Sequence, residues 1–534
     1  MEQLASLRPV LPTYIHLLLS AIFPIYAGAH ASLSQPESAG DPDNNEIDDD
    51  DENTEEKSKK MEGLSPMDAI LFPVVAGCTL TGLYFLIKWL QNVDLLNLIL
   101  NYYFSAFGVV SVGRFFADAI DVCTSLVFPA CYVDEGLVWR VDRKSQTFKA
   151  VTASNRSSPL PGVLGRVNLP PTVLNLLWNI RHFLRTQKFK FQTRRPFPRF
   201  KIIVKTSTIV GIVQAVGSVL YFNFVDNPWW LTNLQGFSFA YTALQFMSPT
   251  TFWTGTLILS GLFFYDIYFV FFTPLMVTVA TKLEVPIKLL FPRAAAPGED
   301  PKQSLAMLGL GDVVLPGMLI GLALRFDLYL FYLRKQKPGT PNTSTNKATV
   351  EQEKTDKNAK HPVIKVPFIS PTRRWGERLW TNRSPMPLNL RMRAIRFSKV
   401  YFYAALIGYI IGMTITVGVM HFARHAQPAL LYLVPGVLIS VWGTAYVRGD
   451  IKYMWEYTEG SDDEAPKGSI FSPRRIEAMS KKLEAEGAKS AEDMGTKASG
   501  IDKGVKKGSE ANTLSTLADS SGSEPHQRKI VGGE

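Results

Sequence analysis

The sequence predicts an all-α polytopic membrane protein with about nine transmembrane helices. Of its 534 residues, 46% are hydrophobic and only 19% are charged, whereas about a quarter of an ordinary soluble domain is charged. The apolar residues gather in nearly uncharged stretches of about 20 residues, the length that crosses a bilayer core. The stretches between them are strongly polar. This division excludes a wholly disordered chain and argues against a soluble multidomain protein.

Nine spans follow from the hydropathy of the chain. They lie near residues 13–29, 67–90, 95–117, 205–224, 229–248, 252–272, 304–324, 400–421 and 428–447. The fifth is the weakest, because Asn233, Gln235, Thr242 and Gln245 make it too polar to face lipid. Inside a bundle, such side chains find partners on neighbouring helices.

The positions of Lys and Arg set the predicted orientation. The loops 131–204 and 325–399 and the tail from Arg448 hold 14, 17 and 14 of them. With Lys205 and the loop 30–66, one side of the membrane carries 49 and the other six. The basic side of a membrane protein faces the cytosol, so we expect a lumenal N-terminus and a cytosolic C-terminus. The two large loops share a side only if the polar fifth span is real.

A cleaved signal peptide is the alternative for the first span, because Ala29-His30-Ala31 resembles a small-residue cleavage site. Cleavage would leave eight spans and turn the basic loops toward the lumen. That outcome contradicts the charge distribution, so we expect the first span to be retained.

The polar segments complete the predicted domain organisation. Five N-terminal spans (1–248, with an acidic loop at 41–56 and the basic cytosolic loop at 131–204) precede spans six and seven (249–330), a basic and partly disordered cytosolic loop (331–399), spans eight and nine (400–450) and a disordered cytosolic tail (451–534). Residues 172–205 mix Arg and Lys with Leu, Trp and Phe, a composition typical of an interfacial helix on an anionic leaflet. We expect no nucleic-acid partner. The three cysteines show no metal-site spacing, and we expect neither a metal nor a cofactor.

Two acids lie inside predicted spans that contain no Lys or Arg. Asp266 is six residues from the end of span six, and Asp312 is eight residues from the start of span seven. An ionisable residue at the bilayer centre costs about 2.5–3.5 kcal/mol, which makes each a functional candidate. Both span ends face the lumen, so at about 1.5 Å per residue the two carboxylates lie roughly 9 and 12 Å deep and can meet.

Two carboxyl groups in contact cannot both ionise cheaply, so they share a proton. One can then take a proton from water while the other hydrogen-bonds a scissile carbonyl, which suffices for peptide hydrolysis. A structural buried pair and an ion-coupled transporter are the alternatives. A transporter would show inverted repeats and broken helices in both halves, and the sequence shows neither.

Two motifs fall at the same predicted depth as these aspartates. In Gly309-Leu310-Gly311-Asp312, the glycines remove side chains where another backbone, such as an extended substrate, could approach closely. Helix packing through small residues is the alternative function for them. Gln427-Pro428-Ala429-Leu430 lies at the lumenal start of span nine, where Pro428 begins the helix.

In order and in the correct spans, Tyr265-Asp266 and these two motifs resemble the three motifs of the intramembrane aspartyl proteases, the family of presenilins and signal peptide peptidases. The predicted orientation is similar to the signal peptide peptidase branch, since presenilins run the other way. Three further stretches are also similar to that branch, at 276–282, 286–292 and 314–327. The similarity is tightest over 230–330 and 400–455.

This resemblance implies a presenilin-like bundle with Asp266 and Asp312 as its catalytic dyad. It implies that the substrate-binding residues are Tyr265, Gly309, Leu310, Gly311, Gln427, Pro428, Ala429 and Leu430. The implied activity is cofactor-free hydrolysis of peptide bonds within type II-oriented transmembrane segments, such as leftover signal peptides and membrane-bound precursors.

The resemblance also implies residence in the endoplasmic reticulum membrane, with the lipid bilayer and transmembrane peptides as partners. A homo-oligomer or a quality-control complex is a further option, and a non-proteolytic role in membrane-protein quality control could coexist with proteolysis. Family members often end in a dilysine retention signal. This chain ends Ile530-Val531-Gly532-Gly533-Glu534, which departs from that pattern.

Overall fold

The computed structural model describes residues 10–41, 61–90, 93–142, 145–150, 155–192, 201–283, 288–292, 305–338, 363–382, 390–423 and 427–459. The α-helices in these ranges are α1 (Leu11–Ala31), α2 (Pro66–Leu90), α3 (Val93–Val127), α4 (Pro171–Arg185), α5 (Thr206–Phe224), α6 (Trp229–Phe246), α7 (Phe252–Phe271), α8 (Leu275–Lys282), α9 (Gly311–Leu333), α10 (Trp375–Trp380), α11 (Leu390–Ile395), α12 (Val400–Ala423), α13 (Leu430–Arg448) and α14 (Ile451–Glu456). The strands are β1 (Glu62–Leu64), β2 (Cys131–Asp134), β3 (Leu137–Asp142), β4 (Thr147–Lys149), β5 (Lys188–Gln192), β6 (Lys201–Lys205), β7 (Met247–Pro249), β8 (Lys288–Pro292), β9 (Leu305–Gly309), β10 (Lys337–Pro338) and β11 (Val363–Ile364).

Each of the nine predicted spans has a long helix in the structure, and the all-α polytopic fold is confirmed. Eight of these helices are long and apolar enough to cross a membrane. The ninth, α6, is the polar helix of the fifth predicted span. It packs against α1, α3 and α9, and the side chains of Asn233 and Gln245 are buried and hydrogen-bonded there. Packing inside the bundle therefore explains how α6 can be a spanning helix although its polar side chains give it a low hydropathy.

Helix α9 lies at the centre of the bundle. It contacts α1, α6, α7, α12 and α13, and buried side chains run along it from Val313 to Tyr332 on every side. A helix that is apolar all round has to be enclosed by others. Its neighbours instead expose large apolar side chains on one face each, as expected for helices that also contact lipid.

The predicted start of span seven at residue 304 is wrong. Residues Leu305–Gly309 form strand β9, which pairs antiparallel with β8 from Lys288↔Gly309 to Pro292↔Leu305, and α9 begins only at Gly311. Hydropathy cannot separate a short apolar strand from the first turns of an apolar helix. The two glycines, which are poor helix formers, end the strand and delay the helix.

The predicted basic loop 131–204 contains a folded subdomain. Strands β2, β3 and β4 form an antiparallel sheet, whose first turn uses Glu135 and Gly136 at φ 54° and 77°. A cluster of buried aromatic side chains joins this sheet to α4. Its members are Tyr132, Trp139, Phe148 and Trp178. The four large rings give this small unit its own apolar core.

The predicted disorder of the tail is wrong for its first nine residues. Helix α14 covers six of them, Tyr457 is buried, and Glu459 reaches Arg325 of α9, with Arg325 Nε 2.6 Å from Glu459 Oε1. Arg325 also donates to Ser32 Oγ at 2.6 Å and to Ser248 Oγ at 2.5 Å. The predicted acidic loop from residue 42 and the tail from residue 460 lie outside the described residues.

Replacing Glu459 by glutamine should lower the free energy of unfolding by about 3–5 kcal/mol, because the charge of Arg325 would stay buried without its partner. Arg325 is 3% exposed. Chemical unfolding of the protein in detergent micelles measures the loss. The control Glu456→Gln changes an exposed acid of α14 and should shift the unfolding curve little. Equal shifts for the two variants would show that the Arg325 ion pair contributes nothing specific.

Candidate active site

Asp266 lies in α7 and is 3% exposed. Its Oδ2 accepts a hydrogen bond of 2.9 Å from the backbone N–H of Leu430, the first residue of α13. The first N–H groups of a helix have no partner within the helix, and the helix end carries a partial positive charge. The start of α13 therefore both orients the Asp266 carboxyl group and stabilises its ionised form.

Asp312 is the second residue of α9 and is half-buried. Helices α7 and α9, which carry Asp266 and Asp312, pack together. The Tyr409 hydroxyl of α12 donates to the backbone carbonyl of Asp312 at 3.3 Å. The depth predicted for Asp312 rested on eight helical residues before it, and five of these residues form the strand β9 instead. An extended strand, which rises about 3.3 Å per residue, precedes Asp312, and helix packing brings the two aspartates together.

The glycines beside Asp312 differ in what surrounds them. A Cβ atom at Gly309 would lie 3.3 Å from Asp312 Oδ2, whereas one at Gly311 would meet nothing closer than Leu315 Cδ1 at 3.8 Å. Both glycines are exposed, and Leu310 between them is half-buried. Gly309 thus leaves room for the carboxyl group, and together the glycines leave backbone accessible beside it.

A side chain of the polar helix α6 holds the hairpin that leads to Asp312. The Asn233 amide donates to Leu290 O at 2.7 Å and accepts from Leu290 N at 2.7 Å. This two-point contact fixes β8 against α6, and β8 in turn pairs with β9. Among the described residues, no strand pairs with the other edge of β9. That edge ends at Gly309, three residues before Asp312.

The third motif forms the start of α13. Pro428 is buried and Gln427 is half-buried, and the carbonyls of Pro428 and Ala429 accept N–H groups of the first turn at 3.3 and 3.2 Å. The predicted site residues Asp266, Asp312, Gly309 and Leu430 therefore come together. Tyr265 packs differently, with its ring 4.6 Å from that of Phe269 and directed toward Gly77 of α2.

Two residues that position this site were not singled out for it from the sequence. The sequence marks Asn233 as a candidate, because an amide inside a span of low hydropathy needs a hydrogen-bond partner. It does not mark Tyr409, since an aromatic residue in an apolar span also suits a lipid-facing position. Only the structure shows its hydroxyl bonded to the backbone of Asp312.

The comparisons with known proteins agree with this geometry. The family model for signal peptide peptidase matches residues 56–461. The signal peptide peptidase of Homo sapiens is 27% identical over 471 residues, which cover 88% of this chain and 89% of the human protein. The mouse (Mus musculus) signal peptide peptidase is 27% identical over 472 residues, 88% of this chain and 90% of that protein. Intramembrane protease 2 of Caenorhabditis elegans is 29% identical over 279 residues, 52% of this chain and 48% of that protein.

A match over most of the chain, three motifs in order and two carboxyl groups in contacting helices lead to one conclusion. The chain belongs to the signal peptide peptidase family and is a multi-pass intramembrane aspartyl protease.

Proposed function

We propose that Asp266 and Asp312 are the catalytic pair of this protease and that its substrates are type II-oriented transmembrane segments, including signal peptides left in the membrane and membrane-bound precursors. The observation that carries the proposal is the placement of two carboxyl groups on the packed helices α7 and α9, one of them bound to a helix N-terminus. The substrate class comes from the signal peptide peptidases that this chain resembles.

The single hydrogen bond from Leu430 assigns different roles to the two carboxyl groups. A backbone N–H bonded to a carboxylate favours its charged form. Asp266 therefore holds the negative charge of the resting pair, and Asp312 holds the shared proton. Asp266 takes a proton from the attacking water, while Asp312 hydrogen-bonds the scissile carbonyl and stabilises the charge that develops on its oxygen.

The accessible edge of β9 supports an extended binding mode for the substrate. A transmembrane helix keeps its carbonyl groups in internal hydrogen bonds, so the segment to be cleaved has to unwind. An extended peptide that adds to the edge of β9 would regain main-chain hydrogen bonds. It would also pass Gly309 and Gly311, where the lack of side chains leaves room for its backbone.

The charge distribution supports a lumenal N-terminus and a cytosolic C-terminus in the endoplasmic reticulum membrane. The 49 Lys and Arg residues on one side against six on the other support an orientation in which the active-site ends of α9 and α13 face the lumen. A homo-oligomer or a quality-control complex belongs to the same proposal, and the mass of the complex purified from native membranes tests it.

A matched pair of reporters tests the substrate class. Each reporter carries the same transmembrane segment, inserted once in type II and once in type I orientation, with the purified protease in liposomes. We expect cleavage of the type II form only. Equal cleavage of both forms would overturn the proposed orientation without affecting the catalytic pair.

A photoreactive transition-state mimic tests the catalytic pair separately. The wild-type protein should be labelled, and Asp312→Ala should not, because the hydroxyl group of the mimic hydrogen-bonds both carboxyl groups. Undiminished labelling of the variant would remove Asp312 from the active site, whatever the reporters show.

A further inference from the structure

Helix α4 of the subdomain packs on the rest of the protein through one stripe of side chains. Trp178 and Arg181 are 5% and 3% exposed. Trp178 Nε1 donates to Ser157 O at 2.9 Å, Arg181 to Pro129 O at 3.1 Å and Arg185 to Phe128 O at 2.6 Å. These three positions follow one another at spacings of three and four residues, so they share one face of the helix. This face is fully used by contacts within the protein.

A second stripe of α4 is apolar and exposed. Val173, Leu176, Ile180 and Phe183 are exposed by 38%, 58%, 37% and 47%, and their spacings of three, four and three residues place them in line. A third stripe, also exposed, is polar and consists of Thr172, Asn175, Asn179 and His182. A helix that only supported the subdomain would need the buried stripe alone, and α4 has this exposed apolar stripe as well.

Contacts at both sides of α4 place it where the chain leaves the membrane. The carbonyl groups of Phe128 and Pro129 accept hydrogen bonds from the two arginines of α4. Both residues directly follow the last residue of the spanning helix α3. Thr206, the first residue of the spanning helix α5, donates its N–H to Gln187 O at 3.4 Å and its hydroxyl to the same oxygen at 3.3 Å. Gln187 lies two residues beyond α4. The helix is therefore fixed beside the end of α3 and the start of α5, two helices that span the membrane.

The chain segment that carries α4 has charges of one sign. No acidic residue occurs between Asp142 and Asp226, and residues 186–205, beyond the two arginines of α4 that bond within the protein, contain seven Lys and Arg. A run of this kind at a span end is attracted to anionic phospholipids. An amphipathic helix with such flanks inserts its apolar face at the boundary between headgroups and acyl chains.

We propose that α4 lies in the plane of the membrane surface. The stripe Val173, Leu176, Ile180 and Phe183 enters the interface, and the lysines of the paired strands β5 and β6 hold it to anionic headgroups. The partner is the lipid leaflet rather than a protein, because the stripe is exposed beside the ends of two spanning helices and its chain segment contains no acid between Asp142 and Asp226. This arrangement gives the protease a second contact with the bilayer, outside its spanning helices.

Paired fluorophores on the full-length protein test this proposal. The environment-sensitive dye NBD is attached at Leu176→Cys on the apolar stripe or at Asn179→Cys on the polar stripe, after the exposed Cys78 and Cys123 are replaced by serine. Both variants are reconstituted in phosphatidylcholine vesicles with and without phosphatidylserine. Iodide measures access from water, and spin-labelled lipid measures insertion. Both substitutions lie on exposed positions outside the active site, so cleavage of a reporter peptide serves to confirm that each labelled protein is folded.

In vesicles with phosphatidylserine, we expect spin-labelled lipid to quench the dye at position 176 and iodide to quench the dye at position 179. The contrast should shrink in neutral vesicles and at high salt, because salt screens the attraction of the basic run. Equal access of iodide to both positions in anionic vesicles would overturn the proposal. Shielding of position 176 without lipid quenching would replace the leaflet by a protein partner. Equal insertion in neutral vesicles would overturn the selectivity for anionic lipid.

Discussion

Replacing Asp312 or Asp266 by asparagine should abolish peptide-bond hydrolysis while the protein stays folded. An amide can neither take a proton from water nor carry the shared proton of the pair. General acid and base catalysis each contribute about 10²–10⁴-fold, so either variant should lose at least that factor in kcat. The unfolding midpoint should stay unchanged or rise, because a neutral amide costs less to bury than a carboxylate. Turnover of a fluorogenic transmembrane peptide measures the first effect, and thermal unfolding in detergent the second.

Asp327→Asn is the matched control for this experiment. Asp327 also lies in α9 and is 5% exposed, but its two oxygens accept the N–H groups of Tyr401 and Phe402 at 3.2 and 2.9 Å, at the start of α12. An asparagine there keeps only one acceptor, so the variant should lose stability and retain turnover per folded molecule. If Asp312→Asn behaved like Asp327→Asn, Asp312 would be a structural residue of the bundle.

The spans and the approximate site were predictable because both depend on residue types that a bilayer restricts strongly. An uncharged run of about 20 residues can hardly be anything but a span, and an acid within one is conspicuous. The parity of the basic loops even supported α6, which hydropathy alone would have rejected. Asp266 and Asp312 could therefore be paired before any contact between their helices was known.

The contacts that hold the site together were not predictable, because they depend on tertiary pairing. Residues 305–309 are apolar whether they form a strand or a helix, and only their pairing with β8 decides between the two. Glu459 looks like any acid of a polar tail until Arg325 is placed opposite it. The buried and the exposed stripe of α4 likewise became distinct only when Trp178 was found buried and Leu176 exposed.

Glycines in the last two spanning helices allow a prediction that the sequence could not supply. Helices α12 and α13 pack backbone to backbone: a Cβ atom at Gly408 would overlap the carbonyl oxygen of Gly436, and one at Gly436 would lie 2.6 Å from that of Gly408. At Gly418 of α12 and Gly443 of α13, a Cβ atom would meet nothing within 4 Å. Small residues at a helix crossing permit such close approach, and the four glycines look alike in the sequence.

Gly408→Ala and Gly436→Ala should each lower the free energy of unfolding by about 1–3 kcal/mol, because the added methyl group forces two backbones apart. Gly418→Ala and Gly443→Ala should be neutral or stabilising by up to about 1 kcal/mol, since alanine favours a helix over glycine. Chemical unfolding of all four variants in the same detergent gives the comparison. If Gly408→Ala lowered the free energy of unfolding no more than Gly418→Ala, and Gly436→Ala no more than Gly443→Ala, then α12 and α13 would not pack at this distance.

The same four variants test how α13 supports catalysis. Because α13 begins at Leu430, whose N–H binds Asp266, a shift of this helix should weaken that bond and displace the carboxyl group. A displacement of about 1 Å can cost 10²-fold in rate, so Gly408→Ala and Gly436→Ala should lose turnover per folded molecule. The two controls should retain it. Full turnover in a destabilised Gly436→Ala protein would mean that the position of Asp266 is set within α7 alone, and the proposed role of the α13 N-terminus would have to be abandoned.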